Sequence, residues 1–249
     1  MPNTIIIGSG SYLPSKIIGR EYFKDSVFYT DEGEKIDKPN EEVIQKFVEI
    51  TEIENRRYLE DDEFNSDLGF RAAEEAIIDA KINREDLEYI IYASNFGEVN
   101  KDGMTNFMPS MSARVKNKLG IKNRKCVNYD MIFGCPGWVE AMILADTLIK
   151  AKKAKLILVV GSETLSRVTD PFDRNRMIFA DGAGAVVVKA TDDETVGIIA
   201  DSTICDNDTE LNFLENSPSL KKDEDRTKLY IRMHGRKIYE YALKNVPIA

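Results

Sequence analysis

The stretch Tyr129–Met142 reads YDMIFGCPGWVEAM. Within it an apolar run gives way to a helical pattern, and Cys135 lies at the junction between Gly134 and Pro136. Proline is favoured in the first turn of a helix, because its missing N–H needs no partner there. The pattern therefore predicts a short strand, a turn at Cys135 and a buried helix that ends near Lys150.

The residues around Cys135 allow two interpretations. Free cysteine is most often a small buried residue, so a structural role is the ordinary one. The alternative is a nucleophile, because unpaired N–H groups at a helix start favour the thiolate. Gly134 and Gly137 would leave room for a substrate to reach such a thiol. The residues by themselves leave both interpretations open.

Composition narrows the class of protein. The 249 residues are 43% hydrophobic and 31% charged, which is ordinary for a soluble globular protein. A net charge of −9 argues against general nucleic-acid binding. No apolar run is long enough for a membrane span, and the first ten residues, MPNTIIIGSG, lack the pattern of a secretory signal.

The cysteine pattern indicates reduced thiols in a cytoplasm. Cys126, Cys135 and Cys205 are an odd number, widely spaced, and the chain has a single histidine, His234. Metal-ligand spacing is absent from this set, so we expect no metal site and no cofactor.

Apolar runs alternate with helical periodicity along the chain. The later strands flank Asp181–Gly184, which reads as a turn with no helix, and a second unit begins at Val196. Its polar stretch Leu211–Lys228 reads as a surface loop, followed by a helix from Gly235. Strands without alternating polar residues predict a sheet covered on both faces. The order is β-α-β-α-β-α-β-β, with strands predicted at Thr4–Ile7, Tyr89–Ala93, Cys126–Tyr129, Leu156–Val160, Met177–Ala180 and Ala185–Val188, and helices beginning at Asn40, Ser66, Pro109 and after Cys135.

An ordered set of segments resembles the ketoacyl-ACP synthase III family of thiolase-superfamily condensing enzymes. They are IIGSGSYLPSKII, CVNYDMIFGCPGW, LVVGSETLSRVTDPFDR and MIFADGAGAVVV. The resemblance implies a thiolase-like α/β fold, layered α-β-α-β-α, built from two β-α-β-α-β-α-β-β halves. We expect the first half at residues 1–190. Residues 191–249 would begin a second half that is incomplete here, so that the chain is part of a longer enzyme.

The resemblance also implies an activity. Cys135 would take an acyl group from acyl-CoA, and decarboxylative Claisen condensation with malonyl-ACP would follow, in fatty acid biosynthesis. The implied state is a cytoplasmic homodimer in which the strand Cys126–Tyr129 pairs with its twin. Two alternatives stay open: a condensing enzyme of a specialised pathway with a lipid-like or polyketide product, and a catalytically silent partner subunit.

Residue roles implied by the resemblance follow the matching motifs. Cys135 matches the nucleophile, and Arg174 matches an arginine near the coenzyme A nucleotide. Met108 stands where the family often has a phenylalanine that closes the neighbouring subunit's acyl pocket, and the insertion at 95–106 reshapes that rim. Arg236 would help to bind the acidic acyl carrier protein, with Arg174 and three further basic residues: Arg176, Arg232 and Lys237.

Other positions are given structural roles or depart from the family. Cys126 and Cys205 are expected in buried strands, and His234 at a helix start. The basic run 150–155 is expected to be a solvated helix end. Lys46 and Ile50 stand where a tryptophan and an arginine often clamp the adenine. The family's catalytic histidine and asparagine have no match in these 249 residues. We therefore expect that the 249-residue chain does not catalyse condensation at an appreciable rate.

Overall fold

The computed structural model describes residues 2–248, which form two compact units. The first unit comprises 2–15, 59–164 and 181–201, and the second comprises 16–58, 165–180 and 202–248. The strands are β1 (Asn3–Tyr12), β2 (Lys16–Ile18), β3 (Arg56–Tyr58), β4 (Tyr89–Ala93), β5 (Glu98–Val99), β6 (Thr105–Asn106), β7 (Val127–Met131), β8 (Leu156–Thr164), β9 (Asp181–Thr191), β10 (Leu214–Pro218) and β11 (Leu229–Met233). The helices are α1 (Asn40–Thr51), α2 (Asn65–Ala80), α3 (Met111–Lys118), α4 (Gly137–Lys150) and α5 (Gly235–Asn245).

The first unit is built on one five-stranded sheet with the order β1-β9-β8-β4-β7. β4 pairs in parallel with both β7 and β8, whereas β9 is antiparallel to its neighbours β8 and β1. In this register Ala93 lies opposite Met131 on one side and Gly161 on the other. The carboxyl ends of β4, β7 and β8 therefore lie together at one end of the sheet.

Helices cover both faces of this sheet, as the uninterrupted apolar strands predict. α2 packs against β1, β8 and β9 on one face, and α4 packs against β4 and β8 on the other. Alternate residues of β8 point to the two cores: Leu158 and Val160 belong to the α2 side, and Ile157 and Val159 to the α4 side. The order of strands and helices through β1, α2, β4, α3, β7, α4, β8 and β9 is the predicted β-α-β-α-β-α-β-β.

Several element boundaries agree with the predictions. β4 spans the predicted residues, α5 starts at Gly235 and α4 ends at Lys150, as expected. The predicted N-cap of α1, Asn40, is instead its first residue, after the N-cap Pro39. The predicted cap of α2, Ser66, is wrong, because the helix already includes Asn65. The Ser66 hydroxyl instead donates to the buried carboxylate of Glu98, at 2.7 Å.

The prediction for the residues before β9 is wrong. Met177–Ala180 is not a strand, since a 3-10 helix spans Arg174–Met177. Asp181–Gly184 is not a turn but the start of β9, where pairing with β8 and β1 occupies both sides of the strand. The Asp181 carboxylate also accepts the N–H of Leu59 at 2.9 Å, which holds it inside the unit.

The predicted second unit is only partly observed. No regular strand begins at Val196, and the predicted loop at 211–228 contains β10, which pairs with β11. The compact units do not divide the chain at residue 190. The division into halves at 190 and 191 concerns the repeat within the fold and stays a prediction.

The second compact unit has its own small core. Phe23, Phe28, Ile44 and Met177 are buried in it. Arg56 is buried among them, where its guanidinium lies 5.1 Å from the centre of the Phe23 ring and donates to backbone carbonyls. Ile50, near the end of α1, is 73% exposed and lies outside this core.

Candidate active site

Cys135 lies in the turn that joins β7 to α4. The N–H of Gly137 donates to the carbonyl of Gly134 at 2.8 Å and closes this turn around the cysteine. Pro136 is the N-cap residue of α4, and its carbonyl accepts the N–H of Glu140 at 3.1 Å. Cys135 is exposed. Of the two interpretations, the exposure disfavours the buried structural cysteine.

The turn lies against the carboxyl ends of the neighbouring strands. A Cβ atom at Gly137 would be 3.4 Å from the Cβ of Ala93 on β4, and one at Gly161 on β8 would be 3.3 Å from the Trp138 ring. Both distances are at the tight end of van der Waals contact. The first turn of α4 therefore packs directly over the ends of β4 and β8, where the two glycines allow a close approach.

A second functional group at this end of the sheet is Glu163, near the end of β8. One of its carboxylate oxygens accepts the N–H of Asn95, and Oε2 is buried without a hydrogen-bond partner among residues 2–248. Burial raises the pKa of Glu163 to about 7, although hydrogen bonds from 94–96 act in the opposite direction. At neutral pH this group can therefore gain or lose a proton.

A buried polar network lies on the opposite face of the same strand ends. The Asn65 amide donates to the carbonyl of Gly97 at 2.9 Å, and its oxygen accepts the hydroxyls of Ser162 and Tyr92 at 2.5 and 3.2 Å. Desolvation raises the pKa of Tyr92 well above its usual value, so its hydroxyl stays protonated as a donor. The network fixes the point at which the chain leaves β4.

The segment 94–110, which we call the rim segment, connects β4 to α3 and contains Met108. Its start is held by Glu163 and Asn65, and α3 at its end is held by Asp130 of β7, which accepts the N–H groups of Met111 and Ser112 at 2.6 and 2.8 Å. The Met108 side chain is 83% exposed. The first unit thus places Cys135 and both attachments of the rim segment at the carboxyl ends of its strands.

Comparison with known proteins agrees with this geometry. The beta-ketoacyl-[acyl-carrier-protein] synthase III 1 of Vibrio vulnificus strain YJ016 is 36% identical over 240 residues, which are 96% of this chain and 67% of the relative. The chain belongs to the 3-oxoacyl-[acyl-carrier-protein] synthase III family. The family model, described as 3-Oxoacyl-[acyl-carrier-protein (ACP)] synthase III, matches residues 129–207, which include Cys135.

Two further synthase III proteins are similar over most of the chain. The enzyme of Clostridium perfringens strain SM101 is 33% identical, covering 98% of this chain and 69% of the relative. The crystal structure of the Aquifex aeolicus VF5 enzyme is 30% identical with a TM-score of 0.73, covering 95% of this chain and 66% of that one. The chain therefore spans about two thirds of the length of the synthase III proteins it matches.

Membership of the synthase III family confirms three predictions: the family itself, the thiolase-like α/β fold, and the function class of an acyltransferase-type condensing enzyme of fatty acid biosynthesis. The specialised-pathway enzyme and the silent partner subunit are not favoured. The solved structure of a polyketide priming ketosynthase is 22% identical and shares the fold with this chain.

The two predicted arginine sites lie in the second compact unit. Arg174 is exposed at the start of the 3-10 helix, and Arg236 is exposed on the first turn of α5, where it pairs with Glu240 at 2.8 Å. Arg176 lies over the rings of Tyr22 and Phe23. Their roles in substrate binding stay predictions, as does the role of Met108.

The other two cysteines differ from each other. Cys126 is buried, as predicted, and desolvation raises the pKa of its thiol. Cys205 is exposed, so its predicted place in a buried strand is wrong, because residues 196–207 form no strand. His234 directly precedes α5, as expected.

Within residues 2–248, no cluster of three or more histidine, cysteine, aspartate and glutamate residues that could hold a metal ion occurs. Within the same range no helix has the length and apolar character needed to cross a membrane.

Sequence reasoning missed Glu163, Asn65 and Asp130 as parts of this end of the sheet. Each is a polar residue next to an apolar run or strand end, which is a weak signal. Glu163 carries the best one, since it is a carboxylate at the end of a strand with five consecutive buried apolar residues. The burial that makes these residues notable depends on pairing between distant strands.

Proposed function

We propose that Cys135 is the nucleophile of an acyl transfer from acyl-CoA. Its thiolate attacks the thioester carbonyl, coenzyme A leaves as its thiol, and the acyl group stays on Cys135 as a new thioester. Condensation with malonyl carried by the acyl carrier protein would follow in a synthase III that has the family's histidine and asparagine. It would release carbon dioxide and the Cys135 thiolate and give a 3-oxoacyl product, and we expect these 249 residues to stop at the acyl-enzyme. The observation that carries this proposal is the exposed thiol at the start of α4 in a chain of the synthase III family.

The geometry around Cys135 supports this chemistry. The first N–H groups of a helix have no carbonyl partner one turn earlier, and they favour a negative charge near the helix start. Trp138 and Val139 contribute such N–H groups in the first turn of α4. An anionic sulfur and the oxyanion formed during acyl transfer are both stabilised by donors that are already in place.

The test uses mass spectrometry of the intact protein after incubation with a short acyl-CoA. We expect the mass of one acyl group, and peptide mapping should place it on Cys135. A Cys135→Ser variant should gain none at neutral pH, whereas Cys205→Ser, which removes the other exposed thiol, should react like the parent. Acylation that survives in Cys135→Ser would refute the assignment, and an unreactive parent protein would favour the silent subunit.

We propose Arg174 and Arg236 as contacts for the phosphate groups of coenzyme A and of the acyl carrier protein. Both side chains are exposed and cationic in a chain whose net charge is −9. Charge reversal at either position should raise the KM for these substrates by about tenfold or more, since a charged contact is worth roughly 1.5–3 kcal/mol. Reversal at Lys152 and Lys153, beyond the end of α4, is the control and should change KM less than twofold.

We propose a homodimer in which β7 pairs with β7 of a second copy. β7 is the last strand of the sheet, with β4 as its neighbour within residues 2–248, and Val127 and Tyr129 on it are exposed. An open edge with apolar side chains is a pairing site that proteins normally cover. Tyr129→Asp should lower the mass found by sedimentation equilibrium. An unchanged mass would refute this interface.

The proposal also covers the role of Met108, the extent of the first half of the fold and the location of the protein. Met108 would close the acyl pocket of the neighbouring copy, and Met108→Phe should then shift the preferred primer toward shorter acyl chains. Residues 1–190 would form the first half of the family fold. We also propose a cytoplasmic location, where the three cysteines stay reduced.

A further inference from the structure

Glu163 lies on the α4 side of the sheet. Residues 157 and 159 of β8 belong to the core beneath α4, and Gly161 is covered by Trp138, so the alternation of a strand places Glu163 on that side too. The turn with Cys135 directly precedes Trp138. On this side of the sheet, Glu163 is therefore the next β8 residue after Gly161, which the first turn of α4 covers.

The carboxylate of Glu163 holds the chain where it leaves β4. It accepts the N–H of Asn95, which follows Ser94 at the end of β4. These residues are the first of the rim segment. The rim segment thus starts on a contact made by the strand that runs beneath the nucleophile's helix.

Three other acidic or phenolic groups share these surroundings. Tyr92 of β4 interacts electrostatically with Glu163, with Glu98 of β5 and with Asp130 of β7. Glu98 is paired with Arg114 at 3.5 Å, and Asp130 accepts three hydrogen bonds from α3. Glu163 differs from both in having one buried oxygen with no partner among residues 2–248.

We propose that Glu163 is a positioning residue for acyl transfer, which holds the N–H group of Asn95 and so sets the rim segment beside the Cys135 turn. This inference rests on the proposed function of Cys135. A carboxylate that merely satisfied backbone groups would not need a buried, unpartnered oxygen. A buried acceptor without a partner is costly, and at this position beside the Cys135 turn we ascribe it to function.

The chain provides a matched control at the other end of the same strands. The carboxylate of Glu88 accepts the N–H of Leu156 at 3.2 Å and also that of Lys155, so it too holds backbone groups at a strand end. It lies at the amino end of β4, away from Cys135. Glu88→Ala and Glu163→Ala therefore remove the same kind of contact from opposite ends of the sheet.

The first measurement is hydrogen–deuterium exchange, which does not depend on any acyl transfer. In Glu163→Ala the amide of Asn95 should exchange at least about tenfold faster, because it loses its acceptor. In Glu88→Ala the faster amides should be those of 155 and 156. Unchanged protection at residue 95 would overturn the contact itself, whatever Cys135 does.

The second measurement is the rate of acylation of Cys135 in the same variants. Misplacement of a substrate-positioning element by about 1 Å can cost about 10²-fold, so we expect Glu163→Ala to acylate 10- to 100-fold more slowly at saturating acyl-CoA. Glu88→Ala should stay within twofold of the parent. Equal losses in both variants, or no loss in Glu163→Ala, would overturn the positioning role.

A third variant covers the case in which Glu163→Ala does not fold. Glu163→Gln keeps an acceptor of the same shape for Asn95 but cannot be ionised. Burial raises the pKa of Glu163 to about 7, so the charged acceptor is present above this pH and absent below it. The ratio of the parent rate to the Glu163→Gln rate should therefore rise several-fold between pH 6 and pH 8, and a constant ratio would overturn the proposal. If the parent itself is not acylated, the proposed function fails, and hydrogen exchange alone decides the contact.

Discussion

Each end of the parallel strands β4, β7 and β8 carries a cysteine and a glutamate, but the two ends give these residues opposite environments. At the amino end Cys126 is buried and Glu88 holds two backbone N–H groups. At the carboxyl end Cys135 is exposed, and Glu163 holds the backbone N–H of Asn95 while its Oε2 has no partner within 2–248. The thiol at the amino end is shielded from solvent, whereas the thiol at the carboxyl end is accessible.

The difference illustrates where an α/β sheet has room for chemistry. At the carboxyl ends of parallel strands the chain must turn outward into the helices that follow, and ligands bind in the space this leaves. At the amino ends, incoming loops pack down onto the strands. Cys126 and Cys135 lie at the two ends of β7, so the strand's direction alone gives them different environments.

The largest expected effect concerns the two thiols. With iodoacetamide at neutral pH, Cys135 should be alkylated at least about 10²-fold faster than Cys126, because Cys126 is buried and its thiol has a raised pKa. Mass mapping after timed quenching measures both rates, and Cys205 serves as an exposed reference. Comparable rates for Cys126 and Cys135 would remove the contrast between the two ends.

The next effect is a pH dependence of stability that comes from Glu163. Its pKa is raised from 4.5 to about 7, so between these values the folded protein holds a proton that the unfolded chain has lost. The group therefore stabilises the fold below about pH 4.5, and that stability is lost as the pH rises through 7, by at most about 3 kcal/mol.

Glu163→Gln cannot show this loss. Urea unfolding at pH 5 and pH 8 should find the variant gaining stability relative to the parent at the higher pH. If the two proteins keep the same difference in free energy of unfolding at both pH values, Glu163 does not titrate as described.

A smaller effect is expected from serine at the two cysteines. Cys126→Ser places a hydroxyl in the apolar core and should cost about 1–3 kcal/mol in the free energy of unfolding. Cys135→Ser is an exposed change and should stay within about 0.5 kcal/mol. Equal costs, measured by urea unfolding, would contradict the burial of one and the exposure of the other.

The smallest effect compares the two tyrosines of β4. Tyr92→Phe removes the hydroxyl that donates to Asn65, and loss of one buried hydrogen bond should cost about 1 kcal/mol. Tyr89, at the amino end, stacks on Tyr129 with ring centres 5.9 Å apart. Tyr89→Phe keeps that contact and should change the free energy of unfolding less, and a larger change at Tyr89 would reverse the comparison.

Elements with strong local signals could be predicted from the sequence. The apolar run of β4 and the proline and glycines around Cys135 specify a strand and a helix start through backbone geometry and local burial. The glycines at 182 and 184 misled the same reasoning, because glycine favours turns locally. Pairing on both sides by β8 and β1 keeps them in a strand instead.

The sequence by itself therefore determined the order of strands and helices, the family and the position of the thiol at the start of α4. These depend on periodicity and on short motifs whose physical causes act within a few residues. Only the tertiary structure decided that Cys135 is exposed while Cys126 is buried, and that Glu163 meets Asn95 across 68 positions of the chain. Burial and its effect on a pKa depend on which distant strands pair, and this pairing is a property of the folded sheet.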